Sequence, residues 1–180
     1  MRKATLTALS GLIVAILGGP AMAIEFPVGE PVVKSGIEIA AVYLQPIEME
    51  PPGMMAPAAS TDIHLEADIH ATSENANGFA EGDWIPNLSI AYVLAKDGDS
   101  ETVRGVLMPM VASDGPHYGD NVKLKGPGRY RLQLTVSFAA DGHHVFGRHV
   151  DKETGVADWP APVVATYDFV FAGTGKKGGY

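Results

Sequence analysis

Apolar residues recur at every second position in short runs, and this alternation constrains the fold more than any other feature of the chain. Tyr130, Leu132, Leu134, Val136 and Phe138 form one apolar row, while Arg129, Arg131, Gln133, Thr135 and Ser137 form a polar one. A period of two marks a strand buried on one side. Leu88, Ile90, Tyr92 and Leu94 repeat the pattern, as do Val163, Ala165, Tyr167, Phe169 and Phe171. Further strands are expected near residues 36–45, 62–71 and 102–110, and no segment carries a long helical period. Reversal chemistry separates the runs at Glu50-Pro51-Pro52-Gly53, Lys96-Asp97-Gly98-Asp99 and Gly126-Pro127-Gly128. Six or seven short strands predict an all-β, two-layer sandwich with its functional residues on loops at one end or on an outer face.

The first 23 residues read as a secretory leader: Arg2 and Lys3, an apolar run over residues 9–17, then Pro20 and Ala21-Met22-Ala23 as an A-x-A cleavage site. That run is shorter than the roughly 20 apolar residues a bilayer span needs. Residues 24–172 are expected to form one domain, followed by a flexible tail over 173–180. The tail contains Gly173-Thr174-Gly175-Lys176-Lys177-Gly178, a formal G-x-G-x-x-G match. It lacks the following helix whose amides would hold a phosphate, so it is not read as a nucleotide loop.

Loss of the leader would remove two of the 13 basic residues and none of the 21 acidic ones. Such an acidic chain is a poor partner for nucleic acid, which requires clustered Lys and Arg, and a good one for cations. The chain contains no Cys. Disulfides and thiolate metal sites are therefore excluded, leaving Met thioethers and His imidazoles as the soft donors.

Three stretches concentrate such donors. In Asp62-Ile63-His64-Leu65-Glu66-Ala67-Asp68-Ile69-His70, a strand places Ile63, Leu65, Ala67 and Ile69 on the core face and His64, Glu66, Asp68 and His70 on the other. Neighbours in that row lie about 6.8 Å apart at Cα, close enough to share a metal, whereas the two ends do not. His64 with Glu66 is the preferred pair, against the plainer reading of a solvated strand face. The stretch from Met108 to Gly119 is expected to leave a strand for a Gly- and Pro-rich loop, offering Met110, Asp114 and His117 within eight residues. Thioether favours copper, imidazole suits copper, iron and zinc, and carboxylate suits harder ions such as iron(II) or manganese. As core filler the methionines need no further role. His117 is harder to explain that way. The third stretch, Asp141 to Gly155, holds His143, His144 and His149. Ser113 lies beside Asp114 but lacks the Gly-x-Ser-x-Gly elbow of a common hydrolase class, and no organic substrate is indicated.

Taken together, Ala41-Val42-Tyr43-Leu44-Gln45-Pro46, His64 to His70, Met108-Pro109-Met110 with Ser113 to Gly119, and Arg148-His149 with Glu153-Thr154-Gly155-Val156 resemble the periplasmic iron(II)-transport protein family. The likeness runs from about Gly36 to Phe171. It implies an immunoglobulin-like β-sandwich that forms a homodimer, with copper and a second metal near the dimer interface. It further implies a copper site of His64, Met110, His117 and His149, with Glu66 and Asp114 at a second divalent position or an alternative copper position. Manganese or zinc is expected to substitute for iron(II). The family works beside an inner-membrane iron permease in high-affinity uptake, with a redox role open to its copper. His70, His143 and His144 are left unassigned by the resemblance.

The leading expectation is a periplasmic carrier that binds copper and iron(II) and hands iron to a permease, rather than an enzyme. The alternatives are a copper-dependent, ferroxidase-like oxidoreductase, a periplasmic copper carrier or resistance protein, and an immunoglobulin-like assembly module whose His and Met are incidental.

Overall fold

The computed structural model describes residues 24–138 and 146–174. The leader, the pair His143 and His144, and the last six residues of the expected tail lie outside them. Among the described residues, nine strands follow in chain order: β1 (Phe26–Pro27), β2 (Val32–Lys34), β3 (Ile37–Leu44), β4 (Ile63–Ala71), β5 (Ser89–Lys96), β6 (Thr102–Ala112), β7 (Gly115–Val122), β8 (Gly128–Ser137) and β9 (Val163–Phe171). All pairings are antiparallel, and the strand path is β1-β3-β4-β7-β6-β5-β8-β9, with β2 beside β3.

This continuous sheet curls over on itself, and β6 makes the turn. Its first part, Thr102 to Leu107, pairs with β5, while Met108 to Ala112 pairs with β7. One layer therefore contains β3, β4, β7 and the end of β6. The other contains β8, β9, β5 and the start of β6. Alternation then places one row from each strand between the layers. Ile37, Ile39, Ile63, Leu65 and Ile69 from the first layer join Ile90, Leu94, Leu132, Leu134 and Val136 from the second in one core, each no more than 1% exposed. The Tyr167 hydroxyl on β9 donates to the Ile39 carbonyl on β3 at 2.8 Å. Tyr92 on β5 donates to Asp120 on β7 at 2.9 Å. These bonds join the layers and satisfy two phenols that would otherwise be buried without partners. The all-β sandwich expected from the alternation is the observed architecture.

One expectation needs correction. His117 does not lie in a loop: Gly115–Val122 is the strand β7, held between β4 and β6. Gly115, Pro116 and Gly119 weaken strand propensity, yet pairing with β6, joined at Gly119 by β4, overrides it. Pro116 lies in the part paired only with β6, where its missing N–H costs no ladder bond to β4. β1 and β2 are too short for a periodic signal. Among the described residues, no helix is long and apolar enough to cross a membrane.

Candidate metal centre

β4, β7 and β6 lie side by side, and their outward faces build the site. Register sets His64 opposite Asn121 and Glu66 opposite Gly119 across β4 and β7. It sets Met110 opposite His117 and Met108 opposite Gly119 across β7 and β6. Gly119 thus occupies the middle of a three-strand patch and contributes no side chain. A Cβ there would lie 2.5 Å from His64 Nε2 and 3.1 Å from Met110 Sδ. The hollow under these donors exists because that position is glycine.

His64, Glu66 and His117 converge on the hollow, and their nearest ligand atoms all lie within 4.8 Å of one another. Glu66 Oε1 is 3.5 Å from His64 Nε2 and 3.3 Å from His117 Nε2. Both of these imidazole nitrogens are buried without a hydrogen-bond partner. The outward row of β4 is therefore not a solvated face at this end. His64 is 0% and Glu66 7% exposed, and residues 47–56 are bonded at Ile47 and Ala56 to the Asn121 amide beside His64.

Burial sets the protonation states. It pushes His64 down to about 4, against a smaller opposing effect from its bond to Asn121. It pushes Glu66 up to about 8, helped by the nearby charges of Glu25, Asp68 and Asp114. Near neutral pH, His64 is thus uncharged and Glu66 largely protonated, so their proximity is not a charged pair. Two imidazoles with unpartnered nitrogens and a carboxyl ready to release its proton are suited to a cation. With the adjacent thioether of Met110, the set matches a borderline-soft ion such as copper without thiolate. The residues present therefore fit such a metal, with His64, His117, Glu66 and Met110 as those that would hold it.

Beside this cluster opens a cavity of about 200 Å³ whose walls include Glu25, Glu66, Asp68, His70, Asp114 and His117. Asp114 and His70, both singled out in the sequence, belong to this cavity rather than to the buried cluster. Burial raises the carboxyls of Glu25 and Asp68, with Asp114 adding to both. Four carboxylates facing one space repel one another, and a divalent cation relieves that repulsion.

His149 is elsewhere in the chain. It is exposed, in a loop near Phe79, Phe146, Arg148 and Trp159. Its Nδ1 is 2.7 Å from Thr154 Oγ1, and that hydroxyl donates to Asp151 at 2.7 Å. Thr154 Oγ1 accordingly accepts from His149 Nδ1–H. Three positions were not evident from sequence: Gly119, Asn121 and Glu25. Gly119 and Asn121 would have stood out at a period of two from His117 had β7 been read as a strand. Glu25 carries no pattern of its own.

A curled β-sandwich with unpartnered imidazoles, a carboxyl and a thioether at the edge of an acidic cavity defines a metal-binding all-β protein. Residues 22–173 match the Fe2+ transport protein family, and the chain belongs to it. Among its relatives is a UPF0423 protein of Brucella abortus, 62% identical over 89% of this chain and 88% of that protein. Copper-reconstituted P19 from Campylobacter jejuni is 51% identical, with a TM-score of 0.79 over 84% of this chain and 99% of its own. FetP of uropathogenic Escherichia coli strain F11, expressed in the periplasm of an E. coli host, is 49% identical, with a TM-score of 0.78 over 83% and 97%.

Proposed function

We propose that this protein captures iron(II) in the bacterial periplasm and hands it to an inner-membrane permease, with copper bound at His64, Met110, His117 and Glu66. The observation that carries the reading is the buried pair of unpartnered Nε2 atoms facing Glu66. Copper in the solved P19 relative supports the choice of metal. Membership of the Fe2+ transport family supports iron as cargo. Glu66, Asp114 and the rest of the acidic cavity form the harder position for iron(II), which manganese or zinc would also occupy. His149 belongs to the same copper site through a homodimer, supplied by a second copy. Its exposed side chain, held through Nδ1 by Thr154, favours that arrangement over a ligand within one chain.

Replacing His117 with Ala is expected to weaken copper(II) binding by well over tenfold in competition titrations. Unchanged affinity in a folded H117A variant removes His117 from the site. Growth of a deletion strain under iron chelation tests the cargo: normal growth there, with sensitivity only to copper, overturns iron transport in favour of copper handling.

The juxtaposition of a copper-type donor set and a carboxylate cavity sharing Glu66 favours a second reading, in which copper accepts an electron from iron(II). Stopped-flow mixing of the copper(II) form with excess iron(II) separates the two. Turnover identifies an oxidoreductase, and binding without turnover a carrier.

A further inference from the structure

Asn121 sits on β7 opposite His64, and its amide is fully committed. Nδ2 donates to the carbonyls of Ile47 at 2.8 Å and Ala56 at 2.9 Å. Oδ1 accepts the Ile47 N–H at 3.2 Å and lies 3.0 Å from His64 Nδ1. Both backbone carbonyls can only accept, so the end of the amide facing them is the nitrogen. The end facing His64 is then the oxygen, as its bond from the Ile47 N–H also requires. An amide oxygen can only accept, so His64 Nδ1 must carry the proton. In a neutral imidazole this leaves the lone pair on Nε2, the nitrogen that is buried without a partner beside Glu66.

The same amide closes a loop. Its two carbonyl partners lie less than two hydrogen-bond lengths apart because both bonds end on one nitrogen. Residues 47–56 are thereby tied at both ends into a strap whose fastening is also the acceptor for His64. Asn121 is itself only 4% exposed, so water does not readily replace any of its four bonds.

We propose that Asn121 is a positioning residue that fixes His64 as the Nδ1–H tautomer, presents Nε2 to the metal, and couples metal occupancy to the order of the 47–56 strap. The proposal rests on His64 being a ligand. A cation on Nε2 withdraws electron density from the ring and makes Nδ1–H a stronger donor, which tightens the bond to Asn121. Because coupling of this kind is reciprocal, an ordered strap raises metal affinity by the factor by which metal orders the strap.

Long-range proton–nitrogen correlation spectra of the metal-free protein read the tautomer directly. The expected result is Nδ1–H for His64 in the wild type and loss of that single tautomer in Asn121→Leu. Copper(II) affinity of Asn121→Leu is expected to fall about 10- to 100-fold, the usual scale for a lost partner of a metal-bound imidazole. Asn121→Asp keeps an acceptor for His64 but loses both strap donors. It should retain the tautomer while amide exchange across residues 45–57 speeds up. Copper(II) should slow that exchange in the wild type and leave it unchanged in Asn121→Leu. An Nε2–H tautomer in the wild type overturns the proposal even if Asn121→Leu fails to fold. So does a folded Asn121→Leu with unchanged tautomer and affinity. A wild type that has the expected tautomer but binds no copper instead defeats the copper reading.

Discussion

At the residue scale, the centre depends on an omission as much as on its donors. Gly119 supplies space that any Cβ would take from His64 Nε2 and Met110 Sδ. The first contact is tighter than van der Waals packing allows, and the second would require the thioether to shift by a few tenths of an ångström. Gly119→Ala should therefore displace these side chains, cost about 1–3 kcal/mol of stability by overpacking, and lower copper affinity at least as far as loss of one proposed ligand does. Thermal melts and competition titrations of one preparation check both effects. Glu66 makes a different prediction. Its carboxyl is raised to about 8, so at pH 7 a cation must expel a proton to use it. Calorimetry in buffers of different ionisation enthalpy should show release of about one proton on metal binding in the wild type and much less in Glu66→Gln. That variant should also spare copper more than iron(II), and equal losses for both would argue against two distinguishable positions.

At the scale of elements, β6 allows one chain to build both core and site. Its first half lies in the layer with β5, and its second half carries Met110 into the layer with β7 and β4. The second half has no β5 partner, which is why Pro109 is tolerated there. Core and site should accordingly be separable. Tyr167→Phe removes the bond from β9 to the Ile39 carbonyl and should cost about 1 kcal/mol, measured by denaturant unfolding. Copper affinity should be unchanged, since the hydroxyl lies between the layers and His64 and Glu66 project from the opposite face of β4. The alternation along β4, β5, β8 and β9 was legible in the sequence because each strand is apolar on one side. β7 was not, because Gly115, Pro116 and Gly119 are residues of turns unless a neighbouring strand, here β6, holds them extended.

At the scale of the whole molecule, the buried acid and base give the metal-free protein a distinct pH profile. Glu66 titrates higher in the folded state than its ordinary value of 4.5. The folded state therefore favours its protonated form, and stability is lost as pH rises from 4.5 through about 8. His64 titrates lower than its ordinary 6.5. Its effect is the reverse: stability is complete above 6.5 and is lost as pH falls toward about 4. The two slopes oppose each other between 4.5 and 6.5, and the loss from Glu66 dominates above that. The metal-free protein should lose about 1 kcal/mol between pH 6.5 and 8, the Glu66 loss being partly offset by the last of the His64 gain. Chemical denaturation at the two pH values checks this, and Glu66→Gln should flatten the difference. Copper should remove the penalty and add about 2.7 kcal/mol at a hundredfold excess over its Kd.

The chain's own order of residues determined the layered β architecture and nominated His64, Glu66, Met110, Asp114, His117 and His149, because alternation and donor chemistry are local properties. Which of these meet is a matter of register between strands far apart in sequence. Only the tertiary structure brings His64 and Glu66 to His117, opens the hollow at Gly119, and gathers Glu25 and Asp114 into one acidic cavity. It also sets His149 on an exposed loop away from that cluster. The physical reason is that pairing across β4, β7 and β6 fixes side-chain proximity, while burial in the folded chain fixes protonation, and neither is encoded in any single segment.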